Sequence, residues 1–137
     1  MVPAGAPAPV HVLLTGQPSD WDRRLVVEEA PAYGLIGQPV SMPVALAPTG
    51  LTGMQHADGE ILGARAAKAF GIPFTLSTMS ICSIEDVAQH AGPGFWFQLY
   101  VMRDRDYIER LIDRAKAAGC SALQLTLDLQ ILGQRHK

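Results

Sequence analysis

The sequence predicts an α/β fold built around a parallel sheet, and three observations lead to this. From Val40 onward, short apolar runs alternate with stretches of helical periodicity, which is the pattern of βαβ units. Polar residues follow the apolar runs, at the ends of strands where parallel α/β folds place their ligands. No glycine-rich dinucleotide fingerprint follows the first run, which disfavours an open nucleotide-binding sheet.

The composition describes a somewhat apolar globular chain in which 48% of residues are hydrophobic and 18% are charged. A formal net charge of -2 provides no basic surface for phosphates, so nucleic acid is not an expected partner. Cys82 and Cys120 have no second ligand at metal-binding spacing, so we expect buried free thiols and no metal site. The Ala/Pro/Gly-rich start and the lack of a long apolar run predict a cytoplasmic location.

Residues 1–38 show no sustained periodicity, and we interpret them as an irregular N-terminal segment preceding a domain over residues 39–137. The first predicted strand is Val44–Ala47, which Pro48 and Gly50 end in a loop. A helix then begins at Asp58 and ends at Gly71. Its predicted apolar face consists of Leu62, Ala66, Ala69 and Phe70.

The second strand is predicted over Phe74–Leu76, and Ser83 with Asp86 has the spacing of a capping box for a short helix. The third strand, Phe95–Val101, is the clearest. Asp104 then caps a helix whose apolar positions recur at i, i+3, i+4 and i+7: Ile108, Leu111, Ile112 and Ala115. Ala122–Leu127 forms the fourth strand, and right-handed crossovers make all four parallel.

Gln98 is the most informative polar residue, because it lies inside the apolar run 95–101, where a neutral amide must find hydrogen-bond partners. Strand alternation places Trp96, Gln98 and Tyr100 on one face. A flavin's pyrimidine edge offers donors and acceptors that an amide and nearby hydroxyls can match. The alternative is a core glutamine satisfied by protein groups alone.

Four motifs together resemble the FMN-dependent α-hydroxy-acid dehydrogenases and oxidases, the family of L-lactate dehydrogenase and glycolate oxidase. They are Ala47-Pro48-Thr49-Gly50, Leu76-Ser77-Thr78, Phe97-Gln98-Leu99-Tyr100 and Leu125-Thr126-Leu127-Asp128. The resemblance covers residues 39–137 and implies a partial (β/α)8 TIM barrel, about its first half, truncated at the C-terminus. Periodicity alone does not distinguish a barrel from an open sheet.

The resemblance also implies an FMN cofactor and roles for individual residues. Six residues would contact the flavin: Pro48, Thr49, Gly50, Ser77, Gln98 and Thr126. Tyr100 and Arg135 would bind the substrate, an L-2-hydroxy acid similar to L-lactate that is oxidised to a 2-oxo acid. Homo-oligomeric assembly is implied as well, and full-length relatives allow peripheral association with the inner membrane.

The family's catalytic histidine has no counterpart in this sequence. None of the four histidines, His11, His56, His90 and His136, matches it, so we expect the chain to be inactive alone. Two alternatives stay open. One is another FMN-binding barrel enzyme, such as a type of isopentenyl-diphosphate isomerase. The other is a non-catalytic remnant acting as an interaction or assembly module, because the exposed strand edges of an unclosed sheet pair readily with another copy. We separately expect the edge of the 122–127 strand to drive self-association.

Overall fold

The computed structural model describes residues 11–15 and 33–127. They form six strands and four α-helices. The strands are β1 His11–Thr15, β2 Tyr33–Leu35, β3 Gln38–Val40, β4 Thr75–Ser77, β5 Trp96–Tyr100 and β6 Ala122–Thr126. The helices are α1 Thr52–Gln55, α2 Gly59–Phe70, α3 Ile84–Ala91 and α4 Arg105–Ala117.

The main sheet has the strand order β1-β6-β5-β4, and every neighbouring pair is parallel. The predicted alternation of strands and helices after residue 40 and the parallel pairing are therefore confirmed. The predicted strand Val44–Ala47 is reduced to an isolated bridge between Leu46 and Phe74. Prolines at positions 43 and 48 flank it and lack the N–H groups that a longer strand would need.

The apolar core lies between one face of the sheet and helices α2, α3 and α4. It combines sheet residues Leu76, Phe97 and Leu99 with helix residues Ile61, Ala64, Ile84, Val87, Leu111 and Ala115. The predicted apolar positions of α4 all belong to this cluster or pack against it. All three helices thus cover the same face, and the opposite face of β4, β5 and β6 is left for other contacts.

Two predicted helix caps are confirmed. Ser83 accepts a hydrogen bond from the Asp86 amide, the Asp86 carboxylate accepts one from the Ser83 amide, and α3 follows. Asp104 accepts a hydrogen bond from the Tyr107 amide at the start of α4. Asp58 also precedes its helix, but its side chain makes no capping bond and its backbone is left-handed, with φ of 57°.

The predicted apolar face of α2 is wrong. Leu62, Ala66, Ala69 and Phe70 are exposed, whereas Glu60, Ile61, Ala64 and Ala67 are buried. The small side chains of Ala64 and Ala67 let the helix lie close to its neighbours, whereas Leu62 and Phe70 are exposed. Periodicity permitted both faces because alanine occurs on each, and only packing selects between them.

The predicted irregular segment 1–38 is also wrong where the structure describes it. His11–Thr15 forms β1, which pairs along the outer edge of β6, and β2 pairs with β3 as an antiparallel hairpin. The edge of β6 is therefore covered, so the prediction that this edge drives self-association is wrong, although β1 and β4 still form the edges of the described sheet. The partner of β1 lies more than 100 residues away in sequence, so no local pattern indicates the pairing. The domain boundary at residues 38 and 39 stays a prediction.

Candidate functional site

Ser77 ends β4, Thr126 ends β6 and Gln98 lies in the middle of β5, and their side chains form one hydrogen-bonded row. The Ser77 hydroxyl donates to Gln98 Oε1 at 3.1 Å, and Gln98 Nε2 donates to Thr126 Oγ1 at 2.9 Å. Three residues predicted separately from sequence as flavin contacts are thus brought into direct contact. We refer to them as the polar row.

The polar row belongs to the sheet face opposite the helices. Register aligns Ser77 with Gln98 and Gln98 with Gln124, while Tyr100 aligns with Thr126. Side chains paired in this way in a parallel sheet point to the same side. Ser77 and Gln98 are buried, with exposed fractions of 3% and 1%. A buried polar face opposite an apolar one is typical of a sheet that lines a ligand site.

Protein groups orient the Gln98 side chain, but the described residues do not use all of its hydrogen-bonding capacity. Its Oε1 also accepts from the Thr78 amide at 3.2 Å, and that amide donates to the Gln98 carbonyl at 3.1 Å as well. The Thr78 hydroxyl donates to the same carbonyl at 2.5 Å and accepts from the Tyr100 amide at 3.2 Å. One Nε2 hydrogen of Gln98 has no partner among the described residues. The side chain is therefore oriented by protein groups at both its oxygen and its nitrogen.

The loop Pro48–Gly50 lies beside the turn that follows β4. The Leu51 amide donates to the Met79 carbonyl at 2.8 Å, and a Cβ at Gly50 would lie 3.3 Å from that of Met79. Met79 in turn donates its amide to Ser77 Oγ at 3.0 Å. The structure thus brings this loop next to the polar row, with Thr49 exposed at the surface.

The structure describes one of the two predicted substrate residues, Tyr100. Tyr100 is half-buried at the end of β5, in register with Thr126 and on the same face as Gln98. Arg135 lies outside the described residues. The exposed His56 and His90 are not part of the polar row. The described residues contain no group of three His, Cys, Asp or Glu side chains able to hold a metal ion.

Sequence reasoning missed two buried polar residues near the site. Gln124 is 8% exposed and neighbours Gln98 in register; the alternation of β6 with Thr126 could have identified it. Glu60 is 2% exposed, although a glutamate in the first turn of a helix suggested only a macrodipole contact. No sequence signal marks Glu60, because its hydrogen-bond partners, Gly53 in α1 and Ile81 after β4, lie elsewhere in the chain.

The Glu60 carboxylate accepts two backbone hydrogen bonds through Oε1, from Gly53 and from Ile81, both at 3.0 Å. Burial would raise the pKa of this carboxyl, but the hydrogen bonds that it accepts, first those from the Ile81 and Gly53 amides, together hold the pKa below its ordinary value. Glu60 Oε2 and Trp96 Nε1 are buried without a hydrogen-bond partner in the described part of the chain. In the described residues, Glu60 thus has one carboxylate oxygen that accepts two hydrogen bonds and one that accepts none.

The chain is similar to known proteins in both sequence and structure. A family model described as FMN-dependent dehydrogenase matches residues 25–137. The L-lactate dehydrogenase of Ectopseudomonas mendocina (strain ymp) is 53% identical over 103 residues, which cover 75% of this chain and 27% of the relative. The chain therefore spans about a quarter of the length of the curated relatives it matches.

Two solved structures of (S)-mandelate dehydrogenase are similar to this chain. A point mutant of an active chimera of that enzyme superposes with a TM-score of 0.69 at 40% identity, covering 73% of this chain and 28% of the other. A soluble mutant of the membrane-associated enzyme from Pseudomonas putida gives a TM-score of 0.65 at 43% identity, covering 68% and 26%. In the chain described here, none of the described helices is long and apolar enough to cross a membrane.

Proposed function

Because this chain belongs to the FMN-dependent dehydrogenase family, we propose that it forms about the first half of a (β/α)8 barrel that oxidises an L-2-hydroxy acid to a 2-oxo acid. FMN is the cofactor of the family. L-Lactate is the proposed substrate, after the relative at 53% identity. The observation that carries the proposal is the polar row Ser77–Gln98–Thr126, which joins three neighbouring parallel strands and in which Ser77 and Gln98 are buried.

The residues present fit the ring of a flavin. Such a ring has a polar pyrimidine edge, and Gln98 has an Nε2 hydrogen available on the polar face of the sheet. A Gln98 side chain oriented beforehand by Ser77 and Thr126 loses little rotamer freedom when it binds a ligand. Pro48, Thr49 and Gly50 would contact the ring from the adjacent loop. The bound cofactor supplies the acceptor for the electrons removed from the hydroxy acid.

Tyr100 would bind the substrate beside the polar row. Its phenol is half-buried at the end of β5, where it could donate a hydrogen bond to the substrate carboxylate or reacting oxygen. Arg135 is proposed to pair with the carboxylate from the loop after β6. A side-chain base would have to come from elsewhere in the complete site, so the isolated chain is proposed to be inactive. Homo-oligomeric assembly, a cytoplasmic location and peripheral membrane association stay predictions.

A chimera tests the proposal directly. The 103 aligned residues of the Ectopseudomonas mendocina enzyme would be replaced by those of this chain, so that the relative supplies the remainder. The chimera should retain FMN, and L-lactate should bleach the flavin absorbance without oxygen. Tyr100→Phe should lower kcat/KM about tenfold or more, because one hydrogen bond to the substrate is lost. Tyr107→Phe, on the exposed side of α4, is the matched control. A folded chimera that binds FMN but turns over no 2-hydroxy acid would refute the function.

A further inference from the structure

Glu60 joins the two loops that carry the predicted flavin contacts. Gly53 follows the loop Pro48–Gly50, and Ile81 follows the turn after Ser77; Glu60 Oε1 accepts the amide hydrogens of both. Among the described residues, only one backbone bond links the same two loops directly, from Leu51 to Met79. A single carboxylate oxygen thus forms a bridge of two charge-assisted hydrogen bonds, which are among the stronger kinds in proteins.

The first of these loops adopts a conformation that it would not hold unaided. Leu51, the N-cap of α1, and Asp58, the N-cap of α2, are in the left-handed region with φ of 57° each. Aspartate adopts this region more readily than most residues, but leucine holds it only when surrounding contacts enforce it. The helix α1 between them has only four residues and buries none of them. The contacts that enforce the conformation must therefore come from other elements.

The space around Gly53 shows how closely the two loops approach. A Cβ at this position would lie 2.6 Å from Ile81 Cβ and 3.1 Å from Glu60 Oε2. The absence of a side chain at Gly53 lets its amide reach the carboxylate that also binds Ile81. The lowered pKa keeps Glu60 ionised at neutral pH, the state in which it accepts both bonds.

We infer that Glu60 is a positioning residue for the cofactor site: it sets the separation between the Pro48–Gly50 loop and the turn after Ser77. This rests on the proposed function only in that these loops are taken to contact the flavin. Glu60 itself lies in α2, outside both of these segments, and acts through the Gly53 and Ile81 amides. No chemistry at Glu60 is required.

The test compares Glu60→Ala, Glu60→Gln and the exposed control Glu109→Ala in the full chain. Amide hydrogen exchange is measured at Gly53 and Ile81, with Leu99 in β5 as a reference for global opening. In Glu60→Ala, both loop amides should exchange about tenfold faster while the Leu99 amide is unchanged. Glu60→Gln keeps an Oε1 acceptor, so it should restore most of the protection, and Glu109→Ala should have no effect.

Titration with FMN, followed by flavin fluorescence, adds the functional readout. Glu60→Ala should weaken FMN binding about tenfold, and Glu60→Gln should recover it to within about threefold of the wild type. Unchanged exchange at Gly53 and Ile81 in Glu60→Ala would overturn the inference, as would a Glu60→Gln variant no better than Glu60→Ala. If the wild type does not bind FMN, the flavin proposal fails for this chain, and exchange alone decides the positioning role. If Glu60→Ala does not fold, Glu60→Gln decides: its weaker neutral acceptor should speed exchange at both loop amides by about threefold, and no change would refute the bridge.

Discussion

Replacing Gln98 by leucine tests the polar row most directly. Leucine has a similar volume, so no large cavity forms, but the Ser77 hydroxyl loses its acceptor and Thr126 loses its donor. The Thr78 amide keeps its bond to the residue 98 carbonyl at 3.1 Å. Each lost hydrogen bond costs about 1 kcal/mol net, and buried groups left unpaired cost somewhat more. Additional apolar burial offsets about 1 kcal/mol. We expect Gln98→Leu to lower the free energy of unfolding by about 1–3 kcal/mol.

The same substitution should weaken FMN binding by about tenfold, which corresponds to about 1.4 kcal/mol, since the flavin edge loses its amide partner. Urea unfolding and fluorescence titration measure the two effects. Gln89→Leu makes the same change at an exposed position of α3 and should alter neither quantity appreciably. In a double-mutant cycle with Thr126→Val, the coupling free energy should be about 1 kcal/mol, because the two side chains share one bond. Unchanged stability and unchanged affinity in Gln98→Leu would refute the reasoning.

Three further predictions concern stability and reactivity. The bidentate Arg114–Glu85 pair lowers the pKa of Glu85 from 4.5 to about 2, so its stabilisation is complete above pH 4.5 and lost as pH falls through about 2. Both side chains are about half exposed, so Glu85→Gln should cost only about 0.5–1 kcal/mol in urea unfolding at pH 7, and this difference should vanish below about pH 2. Gly53→Ala should lower the thermal midpoint despite alanine's higher helix propensity, because the new Cβ would lie 2.6 Å from Ile81 Cβ; a raised midpoint would contradict this. Burial raises the pKa of the Cys120 thiol to about 12, so iodoacetamide at pH 8 should modify it only as the protein unfolds, as checked by mass spectrometry.

The helix boundaries were predictable because their signals are local. The capping box of Ser83 and Asp86 needs only residues three positions apart, and it forms as predicted before α3. Asp104 likewise caps α4. The buried face of α2 was not predictable in the same way. Alanines occupy several faces of that helix, so its orientation depends on the shape of the sheet and helices against which it packs.

The candidate site was likewise predictable in part from the sequence, and the remainder depended on tertiary structure. Ser77, Gln98 and Thr126 were identified as a set because each belongs to a motif that resembles the family, and Gln98 also stood out as an amide inside an apolar run. Their mutual hydrogen bonds depend on parallel strands in register, which the order of elements already favoured. The assignment of these residues to flavin binding comes from family resemblance and stays a proposal for this chain.

The sequence by itself determined the order of strands and helices after residue 40, the caps, and the polar residues that end the strands, since these follow from local periodicity and hydrogen-bonding capacity. Tertiary structure alone decided that β1 covers the edge of β6, that α2 buries Ala64 and Ala67, and that Glu60 bridges Gly53 and Ile81. Each of these depends on groups distant in sequence, and the free energy of such a contact exists only once the chain has brought both groups together.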